Sequence, residues 1–343
     1  MKNFHPILRL LVHKDTISMR NAAFLMRRPH RSFKRTYRRD YVRSLKLPGY
    51  FRFTGQVWRM LWSHKSTFLL LALLYAVASL LFGGITNQQS YQEIAGLVNQ
   101  SAGNILQGAW GSVGKAGILL FAAFISPQSL TAQQQIYLAA FAVMIWLATV
   151  WLLREMMAGR RPKMRDGLYS SGAPIVASFG VLLVALAQLF PIALISLVYS
   201  ALTQVGLLVE GLSTALFTTF SMLVGTLVLY WITPTFLALV IVTLPGMYPM
   251  RALRAAGDIV VGRRLRILYR ILWMVVMLAL GWVVVMILTV LLDSAIKNLW
   301  PALNWLPLVP MVAAFMGSLS AVWASAYIYM LYRRILDDDA SPA

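Results

Sequence analysis

Six stretches of the chain carry no charged side chain and no histidine, and each is apolar throughout: 67–83, 136–153, 173–202, 215–244, 271–292 and 307–332. About 20 such residues in a helix cross the roughly 30 Å of hydrocarbon in a bilayer. A strand in that setting would need a closed barrel and alternating polarity, which these stretches lack. The pattern therefore predicts an all-α, polytopic integral membrane bundle with six transmembrane helices. The third and fourth stretches exceed one straight crossing, so tilt or extension into the interface is expected.

Between the spans the pattern changes period. Val57, Trp58, Leu61 and Trp62 recur at helical spacing with Arg59 among them, which predicts an interfacial helix anchored by indoles. Residues 84–135 form the longest connection, polar and almost uncharged. Ile94, Leu97, Val98, Ile105 and Leu106 predict amphipathic helices there, and the short apolar run 116–125 predicts a re-entrant or interfacial segment. Between the fourth and fifth spans, residues 249–267 predict an amphipathic elbow helix. Pro249 opens it, Gly262 stops it, and Leu253, Ala256 and Val260 form its apolar stripe. Arg251, Arg254 and Asp258 fall toward water, with Arg254 and Asp258 four apart and able to pair. Arg263, Arg264 and Arg266 then lead into the fifth span.

Charge adds an orientation. Residues 1–65 hold 16 of the 31 Lys and Arg and only two acids, Asp15 and Asp40. With the N-terminus inside, the inner segments 1–66, 154–172, 245–270 and 333–343 hold 29 of the 31, leaving Lys115 and Lys297 outside. Lys and Arg collect on the cytoplasmic side of membrane proteins, so both termini are expected there. The predicted layout is a basic region with an interfacial helix at 1–65, a six-span domain at 66–335 and a short acidic tail at 336–343. Arg27, Arg28, Arg31, Lys34, Arg35, Arg38 and Arg39 form an arm suited to anionic lipid headgroups. Its position just before a span favours a membrane over nucleic acid. The arm is also too long and too charged for a cleavable signal peptide.

Composition narrows the chemistry. Hydrophobic residues make up 59% and charged ones 12%, about half the charge of a soluble domain. There is no cysteine, and His5, His13, His30 and His64 all precede the first span. No thiolate site and no imidazole relay within the membrane is therefore available, and no metal or cofactor is expected. The spans carry no ionisable group, which argues against a pump built on buried carboxylates. Glu210 and Asp293 are expected as boundary residues. Acid–base catalysis needs positioned titratable groups, so an enzyme is not expected.

Two prolines fall inside spans, Pro191 in the third and Pro234 in the fourth. A proline removes a helical donor and frees a carbonyl. Paired breaks of this kind can mark a transport site, with Gln188, Ser196, Tyr199, Tyr230, Thr233 and Thr235 as possible cavity lining.

A span ending in proline, then Ala252-Leu253, Ala256, Asp258-Ile259-Val260 and Gly262-Arg263-Arg264, then another span, resembles the multi-span domain found beside some bacterial glycerophosphodiester phosphodiesterases. It also resembles related uncharacterised six-span bacterial membrane proteins. The likeness covers about residues 170–335. It implies a membrane module without catalytic residues. The phosphodiesterase activity does not follow, since its barrel needs about 250 residues of its own.

These readings favour a non-catalytic module of the bacterial cytoplasmic membrane that organises protein or lipid partners. The alternative is a permease for a neutral or lipid-like solute.

Overall fold

The computed structural model describes residues 47–83, 131–206, 211–303 and 305–340. Among these residues every regular element is helical. In chain order they are α1 (Tyr50–Ser63), α2 (Lys65–Gly83), α3 (Ala132–Met157), α4 (Met164–Ser170) and α5 (Ile175–Gln204). There follow α6 (Leu212–Ile241), α7 (Pro249–Val260), α8 (Arg264–Leu299), a 3₁₀ turn at Pro301–Leu303 and α9 (Leu308–Ala340). Six of them, α2, α3, α5, α6, α8 and α9, are long and apolar enough to cross a membrane. Each coincides with a predicted span. The basic arm, the segment 84–130 with its apolar run 116–125, and Glu210 lie outside the described residues.

The boundaries differ from the apolar runs for identifiable reasons. α3 begins at Ala132 rather than 136 because Thr131 and Gln134 form a reciprocal cap. The Thr131 hydroxyl accepts from the Gln134 N–H at 3.4 Å, and the Gln134 amide accepts from the Thr131 N–H at 2.9 Å. α8 overruns its apolar run at both ends, from Arg264 to Leu299. Charge ends a hydropathy window but not a helix, since Arg and Lys are good helix formers. Asp293 therefore does not end the helix. It lies within α8, buried, with Lys297 one turn on donating to it at 2.8 Å.

α9 is the hub. It packs on α2, α3 and α8, and also touches α1 and α6. Small buried residues allow the close approach: Ala72 and Ala76 on α2, Ala314, Ser318 and Ser325 on α9. Tight van der Waals packing of this kind drives helix association where lipid removes the hydrophobic incentive. Large side chains fill the remaining space, chiefly Phe53, Leu71, Leu152, Leu237, Ile267 and Tyr327.

The core is lopsided. α1, α4, α7, the start of α8 and the end of α9 gather at one end of the bundle, which carries the basic loops. The buried residues of α1, α2, α3, α6, α7, α8 and α9 join there into one cluster. Toward the opposite end, α5 and α6 pack chiefly on each other and leave Leu186, Phe190, Leu197, Phe220 and Leu223 exposed.

α1 buries one face and leaves the other open. Phe53, Val57 and Leu61 are buried, while Trp58 and Trp62 stay exposed with ring centroids 6.2 Å apart. The predicted apolar set thus divides: Val57 and Leu61 face the bundle and the two indoles face away.

Candidate functional site

The elbow helix α7 forms as its sequence dictates. Pro249 occupies the first turn, and Gly262 takes φ +79°, a conformation that favours glycine just past a helix end. Ala252, Ala256 and Val260 are fully buried. Ala252 takes the place expected for Leu253, which is only half-buried. The stripe packs against α6 and α5. At its start, Pro249 presses on Gly180 of α5, where even a Cβ would lie 2.7 Å from the proline ring.

The other face of α7 is charged and open, with Arg251, Arg254 and Asp258 all exposed. This agrees with the orientation expected from periodicity. The arginines that follow divide. Arg266 is exposed. Arg264 is half-buried, with its guanidinium 4.5 Å from the centre of the Tyr230 ring on α6. Arg263 is not a surface contact: its side chain is fully buried, pairs with Asp338 of α9 at 3.7 Å, and donates from Nε to the Ile259 carbonyl at 2.9 Å. It clamps the elbow to the end of the hub helix. Spacing alone placed it beside Arg264 and Arg266, but the turn at Gly262 rotates it inward.

Further contacts stiffen this end. Arg154 of α3 donates to the Thr243 carbonyl at 3.0 Å, holding the turn between α6 and α7. Trp146 of α3 reaches the Leu239 carbonyl at 3.4 Å. Glu155 pairs with Arg160 at 2.8 Å. Asp166 accepts from the Lys163 N–H at 3.0 Å at the start of α4.

The prolines do not interrupt their helices. α5 runs through Pro191 and α6 through Pro234. Nearby, Thr233 donates to the Leu229 carbonyl at 2.8 Å. The polar residues around them do not converge. Thr235 donates to the buried Gln188 at 2.7 Å, joining α5 to α6. Ser196 instead bonds the Ala193 carbonyl on an exposed face, and Tyr199 is exposed too.

One residue at this end escaped the sequence reading. Arg270 of α8 is 7% exposed. Its guanidinium lies 4.0 Å from the centre of the Tyr50 ring and 5.8 Å from that of Phe53. Nη2 donates to the Pro48 carbonyl. Trp273 completes the wall, its ring 5.5 Å from Tyr50 and its Nε1 donating to the Thr54 hydroxyl at 3.1 Å. Nη1 makes no hydrogen bond of good geometry, and neither does the buried hydroxyl of Tyr327, which lies beside Arg270 and interacts with its guanidinium. No carboxylate of the described residues lies within 4.0 Å of the guanidinium. Burying a charge without a counter-ion costs several kcal/mol, and the ring contacts return about 2 kcal/mol. A signal for this was present: Ile267, Arg270 and Met274 share one helical face, so an arginine sits in an otherwise apolar stripe.

Among the described residues, no three of His, Cys, Asp or Glu gather closely enough to hold a metal ion. Six crossing helices with their amphipathic helices collected at one end define a multi-pass helical membrane protein. Comparisons with protein-family models, with curated proteins and with solved structures return no match.

Proposed function

We propose that this is a non-catalytic membrane module that holds a partner protein or lipid at the cytoplasmic face of the cytoplasmic membrane. The observation that carries this reading is the seating of α7. Its small-residue stripe is fully buried and its following arginine is clamped to α9, yet Arg251, Arg254 and Asp258 are all exposed. A rigid helix with a fixed charged face is suited to docking, because little side-chain and backbone freedom is lost on binding. The concentration of Lys and Arg at this end supports a cytoplasmic orientation. The family resemblance supports the same reading, since what it implies is a membrane module without catalytic residues.

The permease alternative draws on the buried Gln188–Thr235 pair between the two proline-bearing helices. Ser196 and Tyr199 are exposed, and Tyr199 packs on Phe217 of α6 rather than joining the buried pair.

The test is Arg254→Glu in the full-length protein, with affinity purification from native membranes and abundance measured alongside. Docking predicts normal insertion and abundance with at least a tenfold loss of the co-purifying partner, since reversing a charge at an interface costs more than about 1.4 kcal/mol. Unchanged recovery at normal abundance removes the docking reading and leaves α7 as an anchor, because an exposed charge contributes little to stability.

A further inference from the structure

We infer that the Arg270 niche is a binding site for one phosphate-type oxyanion, carried by a lipid headgroup of the leaflet at the basic end or present as free phosphate. The inference is independent of the docking face on α7. It rests on three observations. The guanidinium is nine-tenths buried with no carboxylate of the described residues beside it, Nη1 makes no hydrogen bond of good geometry, and the buried group next to it, the Tyr327 hydroxyl, is neutral and keeps its own proton to donate.

Chemistry selects the ligand. Arginine stays protonated in proteins and presents a planar fork of donors. Here one arm of the fork is used by the Pro48 carbonyl and the flat face by Tyr50. The remaining arm and the Tyr327 hydroxyl offer two donors to one acceptor group. An oxyanion supplies both the missing acceptors and the missing charge, whereas a neutral carbonyl supplies only the first. Phosphate fits because its oxygens can accept from both donors at once.

Position selects the source. Arg270 lies six residues into α8, about 9 Å along its axis at 1.5 Å per residue. It is walled by α1, the interfacial helix, whose exposed indoles mark headgroup depth. Tyr50 covers the guanidinium and is itself 40% exposed.

The experiment uses the full-length protein purified in neutral detergent and read by native mass spectrometry and thermal unfolding. Other basic residues also attract anionic lipid, so salt separates the classes. At about 0.5 M salt the Debye length is about 4 Å and exposed charges are screened, while a buried contact is not. The probes are dioleoyl phosphatidylglycerol, dioleoyl phosphatidylcholine and inorganic phosphate. One phosphatidylglycerol per chain should survive high salt, and phosphatidylcholine should be retained at least tenfold less. Arg270→Gln should lose the salt-resistant lipid by at least tenfold. Tyr327→Phe, which keeps the ring, should weaken it about threefold to tenfold. If inorganic phosphate raises the unfolding temperature of the wild type but not of the variants, while no lipid is retained, the site takes free phosphate. If Arg270→Gln does not fold, Arg270→Lys and Tyr327→Phe decide, because lysine keeps the charge but lacks the fork. Equal salt-resistant retention in every folded variant, or no effect of any anionic probe on the wild type, overturns the site.

Discussion

Arg263 and Arg270 lie seven positions apart at the start of one helix, and both are buried, yet they are neutralised in different ways. Arg263 has Asp338 across from it, whereas Arg270 has aromatic rings and one carbonyl. Breaking a buried pair by removing one partner leaves a stranded charge, which costs about 3–5 kcal/mol. The 3.7 Å separation favours the lower end. Asp338→Asn should therefore lower the stability of the full-length protein by about 3 kcal/mol, read as the shift in its unfolding curve. The double change Arg263→Met with Asp338→Leu should recover most of that loss, since an apolar pair can replace a buried ionic one. Equal destabilisation by the single and double changes would show that shape rather than charge holds the clamp. Neither burial could be read from composition. A run of arginines beside a span is a topology signal whichever way each one points. The turn at Gly262 and the helical register of α8 decide that; the stop at Gly262 and the register were legible in the sequence, but not the inward rotation the turn gives Arg263.

At the scale of elements, the sequence was most informative where apolar runs were long. The six crossings and the orientation of α7 follow directly from period and polarity. It was least informative at helix ends, where one reciprocal cap at Thr131 outweighed the polar composition of Gln133, Gln134 and Gln135. The two prolines leave their helices unbroken for a related reason. A membrane helix continues past a missing donor because no water competes for the backbone and breaking the helix would expose more unpaired groups. Seating of α7 depends on the close approach of Pro249 to Gly180. Gly180→Ala should place a methyl 2.7 Å from that ring. Pro249 is rigid, so α7 must shift, at about 1–3 kcal/mol. The expected sign is increased protease cleavage within residues 244–262 at unchanged membrane insertion. Wild-type cleavage would mean that the ring yields without moving the helix.

For the whole molecule, orientation remains a matter of the basic residues. Reporter fusions after Gly84, Glu155, Glu210, Arg251, Lys297 and Arg334 should alternate outside and inside, ending inside, as Lys and Arg counts require. Two consecutive fusions on the same side would refute the six-span arrangement. The packing order has a temporal consequence as well. α2 with α3 and α5 with α6 are hairpins of neighbouring helices that can pair as soon as each is inserted. The helix that packs on both hairpins, α9, is made after the other eight described helices. Until it arrives, the small-residue face of α2 has no mate, and the two early hairpins meet through α3 alone, whose Trp146 and Arg154 reach the end of α6 and the turn after it. Assembly of this bundle is thus a closing event rather than a gradual growth. A ribosome that stalls before residue 308 releases not a smaller version of the protein but a bundle with its hub missing, which quality-control proteases can recognise.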